Sequence, residues 1–425
     1  MKYSMDTYRL YYGEKRFASS IRVKVTMKEA VNIEILRVSA NIAIKRYPYF
    51  AVKVTVDEDG GFVLRPNLKR VAVLPLAKKT RLFCSNEVNE HLLFLEVDGR
   101  DIFFNISHSL CGGRGAFPWL MTTVYQYVKD AYHVEPYAPG IRKPGEPLLP
   151  GETAEPSVDL LLDEPPIYTS KSKNPVALVK DYMNGLYNPF ARYSNYRVFG
   201  FKQKDIMAYA RDNDASVASL FLVITGKALD RVLPAKAAVI GGEIAHSPTA
   251  ELGIPNTHCD ILTHAYIDYE RDQLKWDMEK LGTMTRGQII LQTDPTVSSH
   301  QLREIYSLFG RLDQVSGLKN KMEFMKKNNP STGKDARHGT YLVNYTGRMD
   351  WGEVADYVES YAAVVEGHCV LEITSLEDRI FVTFMQLLRN DKYIRAFKTV
   401  LEELGIPYTV EGPFPKHLSK HQLPV

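Results

Sequence analysis

The run Asn105-Ile106-Ser107-His108-Ser109-Leu110-Cys111-Gly112-Gly113 holds the residues of this chain best suited to chemistry. An imidazole titrates near neutrality, so His108 can take a proton from a hydroxyl or amine as that group attacks an acyl carbon. Cys111, three residues on, opens a second chemistry, a thiolate paired with His108 in a hydrolase. Against it stands the ordinary use of cysteine as a small buried side chain. A single histidine that follows a strand is also, taken alone, more often structural than catalytic.

Other chemically capable residues carry less. His246, His258 and His264 lie in one stretch, but their spacing matches no familiar ligand set, and they read as surface or cavity-lining residues. No HExxH or HxH pairing occurs, and no metal is expected. Cys84, Cys111, Cys259 and Cys369 form no CxxC pair, which argues against a zinc site or disulfide framework and fits a reducing compartment. Gly112-Gly113-Arg114-Gly115 opens a helix but lacks the spacing of a phosphate-binding loop.

A base must be held in place, and the flanking sequence supplies the supports. Residues 92–97 and 101–106 read as the two strands of a hairpin, with Asp98-Gly99 suited to its tight turn. The second strand runs directly into His108. Beyond the loop, Phe117, Leu120, Met121, Val124 and Val128 recur at helical spacing, with Pro118 expected in the first turn. His108 therefore lies between a strand and a helix. Earlier, Met27 to Lys45 reads as a core-facing helix broken at Pro48, and Phe50 to Val56 as a strand before the turn Asp59-Gly60-Gly61.

Residues 134–175 are dense in proline and glycine and read as a surface crossing. Further elements are expected at Tyr196–Phe201 (strand), Lys204–Arg211 (helix) and Ser216 to Val232 (helix, capped by Asp214 or Ser216). Strands follow at 237–245 and 259–269, then helices at 274–291 and 299–312. Paired strands at 370–374 and 380–386 and a helix from Asp391 to Leu404, stopped by Gly405, close the chain. The order is mixed α and β throughout, without repeats.

The chain's 425 residues exceed what one core usually organises, so two lobes are expected. A net charge of +3 with dispersed basic residues leaves no footprint for nucleic acid or an anionic surface. No stretch approaches the ~20 apolar residues of a membrane helix, and no signal segment is seen at the start, so a cytoplasmic location is expected.

The run from Asn105 to Gly113 resembles the HHxxxDG motif of the superfamily that includes chloramphenicol acetyltransferase, alcohol acetyltransferases and peptide-synthetase condensation domains. Three further stretches are similar to that family: Arg46-Tyr47-Pro48-Tyr49-Phe50, Asn344-Tyr345-Thr346-Gly347, and the closing Gly405-Ile406-Pro407-Tyr408. The resemblance implies an α/β fold of two chloramphenicol-acetyltransferase-like lobes, each a mixed sheet flanked by helices, with a tunnel between them. It places an N-terminal lobe over 1–160, a crossing segment over 161–195 and a C-terminal lobe over 196–425. It implies acyl transfer from a coenzyme A or carrier-protein thioester to an alcohol or amine, with His108 as general base. No resident cofactor is implied. It further offers Asn344 and Thr346 as oxyanion donors; Arg114, just after the motif, is separately expected to attract an acidic acyl donor.

Two positions depart from the motif. Ser107 stands at the first histidine, and Gly112 and Gly113 stand where the family has Asp-Gly. The family aspartate pairs with a second-lobe arginine from an Asn-x-Arg segment; here Gly241-Gly242-Glu243-Ile244-Ala245 leads instead to His246-Ser247-Pro248. Carboxylate and arginine are expected to be missing together, which leaves no unpaired buried charge. The alternative expectation is a non-catalytic member that keeps the fold for binding or assembly.

Overall fold

A computed structural model describes residues 5–12, 19–169, 175–178, 195–234, 238–328, 339–386 and 391–423. Much of the crossing expected at 161–195, and Ala237 of the strand expected at 237–245, lie outside these residues. Fourteen described strands form two sheets and a separate hairpin.

The first sheet has the order β11-β1-β6-β5-β4, where β1 is Ser20–Met27, β4 Val73–Pro75, β5 Leu93–Asp98, β6 Asp101–Ser107 and β11 Val358–Val364. β5 and β6 are the expected hairpin. Asp98 pairs with Asp101, so the turn residues are Gly99 and Arg100, one position later than expected; Gly99 takes φ +57°, which costs glycine little. β1 was not foreseen. Its alternate residues Arg22 and Lys24 look solvent-facing, yet both are buried: Arg22 bonds Glu96 and Asn105, and Lys24 lies 4.2 Å over the Phe414 ring. Met27 ends this strand, and the helix expected from Met27 begins only at Ile33, where the Asn32 side chain accepts from the N–H groups of Glu34 and Ile35.

The second sheet runs β14-β7-β13-β12-β10-β8-β9. Its strands are β7 Asn195–Lys202, β8 Val239–His246, β9 Thr263–Glu270, β10 Tyr341–Tyr345, β12 Cys369–Leu376, β13 Arg379–Gln386 and β14 Thr409–Pro415. The strand expected from Cys259 starts at Thr263, which leaves Cys259 to Leu262 as a loop. Helix Val217–Val232, capped by Ser216, buries its apolar face on this sheet together with helix Lys392–Glu403. Helix Met278–Gln292 buries Leu281 in the core of this half, whereas Pro295–Asp313 and the unforeseen Leu318–Asn328 bury Leu302, Phe309, Leu312 and Met325 in the core of the first sheet. β2 (Val52–Val56) and β3 (Phe62–Pro66) make the separate hairpin.

The first sheet borrows a strand from the second half of the chain. β11, contributed by residues 358–364, pairs antiparallel with β1 and lies beside β12, where the Tyr361 hydroxyl donates to Ser375 O at 2.7 Å. Beyond β14 the tail crosses the polar face of the first sheet. Arg22 Nη1 donates to His417 O at 3.3 Å, and Phe83 and His421 form a parallel bridge.

Candidate functional site

His108 directly follows β6, and its N–H donates to Ser19 O at 3.0 Å, which fixes the strand end beside β1. After it the chain enters helix Gly113–Tyr132. Because that helix begins at Gly113, Pro118 falls in its second turn rather than the first, where it removes the N–H that would bond Arg114 O. The loop between is tightly packed: Ser107, Ser109, Leu110 and Cys111 are buried, and Ser107 Oγ accepts from Ser109 N at 3.0 Å.

The substituted motif positions are faced by side chains from distant segments. Ser107 Oγ lies 2.6 Å from Nε2 of His421, in the C-terminal tail. Gly112 faces Asp260, in the loop before β9, so closely that a Cβ on Gly112 would stand 2.7 Å from Asp260 Oδ1. One turn on, a Cβ at Gly115 would meet His258 O at 2.1 Å, while His258 Nδ1 lies 2.9 Å from Gly115 O. The two glycines let the segment His258–Asp260 press against the helix start, and this close approach accounts for glycine at both positions.

Asp260 is fully buried, and its Oδ2 lies 3.8 Å from His108 Nδ1. The same carboxylate forms an ion pair with Arg9, from the N-terminal turns Met5–Tyr8 and Arg9–Tyr12, whose Tyr8, Leu10 and Tyr11 are buried in the core. Position 112 and His246-Ser247-Pro248 carry neither carboxylate nor arginine, and a buried Asp260–Arg9 pair from other segments lies beside the loop instead. Single-sequence reasoning could not find them, because neither residue sits in a recognisable pattern and their meeting depends on the tertiary fold.

The His108 side chain keeps 16% of its exposure while its Nδ1 is buried. Burial pushes its pKa down to about 4, with the Arg9 charge adding to the fall; Asp260 and a hydrogen bond with the Cys111 backbone oppose it. His421 is also pushed to about 4, by burial and then by His108. Both imidazoles are thus neutral at pH 7. Cys111 is buried in the apolar core, and its link to His108 runs through backbone.

The other expected site residues lie elsewhere. Asn344 Nδ2 donates to Glu372 Oε1 at 2.6 Å and Thr346 Oγ1 to Ile373 O at 3.2 Å, so both serve the join between β10 and β12. Arg114 lines a cavity of about 200 Å³ with Arg142, Glu152, Asn256 and His258. A second cavity, of about 210 Å³, lies by Lys53, Cys84, Glu90 and Gln422. His264 pairs with Glu243 at 2.9 Å, and His258 is buried among Tyr47, Tyr49 and Phe50. Among the described residues no group of three or more His, Cys, Asp or Glu could hold a metal ion, and no helix is long and apolar enough to cross a membrane.

No family model and no curated protein matches this sequence. Its fold, however, is similar to solved structures across nearly the whole chain. The TRI101 protein of F. graminearum, complexed with coenzyme A and T-2 mycotoxin, superposes with a TM-score of 0.57 at 10% identity, over 95% of this chain and 98% of that one. TRI3 trichothecene 15-O-acetyltransferase from Fusarium sporotrichioides gives 0.57 at 11% identity, over 93% and 94%. The first condensation domain of the CDA synthetase gives 0.52 at 9% identity, over 95% and 93%. The chain has the two-lobed fold of these acyltransferases and condensation domains, as the resemblance around His108 implied.

Proposed function

We propose that this chain transfers an acyl group from a coenzyme A or carrier-protein thioester to an alcohol or amine, with His108 as general base. The observation that carries the reading is the placement of His108: a neutral, partly open imidazole on a strand-to-helix loop, its Nδ1 turned to a buried carboxylate. Fold alone does not assign chemistry. The coenzyme A complex of one structural neighbour supports a thioester donor.

In this reading Nε2 of His108 removes the acceptor's proton as its oxygen or nitrogen attacks the thioester carbon. The tetrahedral intermediate collapses, the carbon–sulfur bond breaks, and the departing thiolate takes the proton from His108. No covalent enzyme intermediate forms, and the imidazole ends the cycle neutral.

A second reading, a non-catalytic member that uses the fold for binding or assembly, is favoured by the motif departures at Ser107 and Gly112. Assays of acyl-coenzyme A donors with mixed alcohol and amine acceptors, comparing the wild type with His108→Ala, separate the two. A fall of about 10²-fold or more is expected for loss of a general base. Turnover indifferent to His108 overturns its role as base, and no turnover in either protein selects the binding reading.

A further inference from the structure

We propose that Asp260, held by Arg9, is the positioning residue of His108, and that position 112 is glycine so that this carboxylate can reach the imidazole. The proposal rests on the reading of His108 as the base. Its argument is geometric. Asp260 is fully buried, lies 3.8 Å from His108 Nδ1 and is ion-paired to Arg9. A carboxylate removed from water needs a compensating charge. Arg9 supplies it, from a segment whose neighbours Tyr8, Leu10 and Tyr11 anchor it in the core.

Gly112 gives the independent observation. Its backbone sits at φ −73° and ψ 173°, extended values that any residue adopts, so conformational freedom is not why glycine is there. The reason is contact. A Cβ would stand 2.7 Å from Asp260 Oδ1 and 3.2 Å from its Cα, which no carbon tolerates without displacing the carboxylate. The site thus trades a side chain on its own loop for one brought from the loop before β9.

The charged groups acting on His108 are Arg9, from the N-terminal turns, and Asp260, from the loop before β9, while His421, from the tail, faces the neighbouring Ser107 and is itself lowered by His108. With Asp260 on its Nδ1 side, the ring is held in one orientation and the imidazolium formed during proton transfer is stabilised. Arg9 sets the balance by holding the carboxylate while opposing positive charge on the ring.

Full-length protein with ¹³C-labelled histidine tests this, the His108 signal being identified by its loss in His108→Gln. In Arg9→Gln the His108 titration midpoint is expected to rise by about one unit, the scale set by a charge ~4–6 Å away. Isosteric Asp260→Asn is expected to lower that midpoint and to cut acyl transfer by about tenfold or more, within the ~10⁴-fold reached when a histidine-orienting carboxylate is neutralised. Gly112→Ala is expected to act as Asp260→Ala does, and the double variant Gly112→Ala/Asp260→Ala to be no worse than Asp260→Ala alone.

A midpoint unmoved in Arg9→Gln, or Gly112→Ala and Asp260→Ala losses that simply multiply, overturns the proposal. If Asp260→Asn fails to fold, Arg9→Gln, which keeps the carboxylate, decides through its midpoint. Should no protein show turnover while the midpoint rises in Arg9→Gln, the acyltransferase reading falls and the positioning contact stands.

Discussion

At the scale of single residues, Glu372 is a carboxylate displaced toward neutrality. It is buried in β12, faces Asn344 across a parallel pair, and burial raises its pKa to about 7 against the lowering effect of the Asn344 hydrogen bond. An unfolded glutamate has lost its proton by pH 5–6, whereas the folded one keeps it. The folded state therefore binds this extra proton between those limits, and the contribution of Glu372 to stability is greatest at low pH and declines as pH rises through about 7, opposite in sign to that of the buried His108 and His421, whose lowered pKa values favour high pH. The decline from pH 5 to pH 8 is expected to be on the order of 2–3 kcal/mol. Glu372→Gln, which keeps the acceptor oxygen and removes the charge, should be clearly stabilising at pH 8 and nearly neutral at pH 5. Urea unfolding at the two pH values measures this, and an equal effect at both refutes it.

At the scale of elements, the segment around Glu152 shows how a proline-rich crossing is held down. Arg46 and Glu152 form a doubly bonded, fully buried ion pair, Tyr49 OH donates to Glu152 at 3.0 Å, and Glu152 O accepts from His258 N at 2.9 Å. Glu152 therefore ties the short helical turns after helix Ile33–Ala43 to the segment that carries Asp260. Removing one member of a buried pair leaves the other uncompensated, so Glu152→Ala is expected to cost about 3–5 kcal/mol in denaturant unfolding. A loss below ~1 kcal/mol, the worth of an exposed pair, would contradict it.

Legibility in the sequence followed the same lines. The hairpin β5–β6, the helix from Gly113 and the helices Val217–Val232 and Lys392–Glu403 were readable because their apolar periodicity or turn residues are local. β1 was not, because Arg22 and Lys24 are charges that only tertiary partners allow to be buried. The strand expected from Cys259 absorbed the loop that carries Asp260, since a short apolar run does not reveal where pairing begins. His108 was legible from its motif; Asp260, Arg9 and His421 became visible only when the fold brought them to it.

At the scale of the whole molecule, the second half of the chain both completes the first sheet and shares its core: β11 pairs with β1, and Tyr196, Val198, Phe381 and Met385 of the second sheet lie in the same buried cluster. β1 is central only because β11 covers it, and Val23 and Val25 within it are fully buried. A fragment of residues 1–160 would leave β1 as a bare edge beside buried charges, a template for association with other chains. Expressed alone, this fragment is expected to aggregate or remain non-cooperative in thermal unfolding. A monomeric fragment with a sharp transition would show that the first half is self-sufficient.

The late arrival of β11 also sets a timetable for the chain's birth. The strand that ends at Ser107 leaves the ribosome about 250 residues before its sheet can be completed, which at ordinary elongation rates is roughly 13–50 s. His421 emerges later still. Through that interval the nascent first half offers an open strand edge, and the late-made segment around His421 is among those that close around the loop of the histidine.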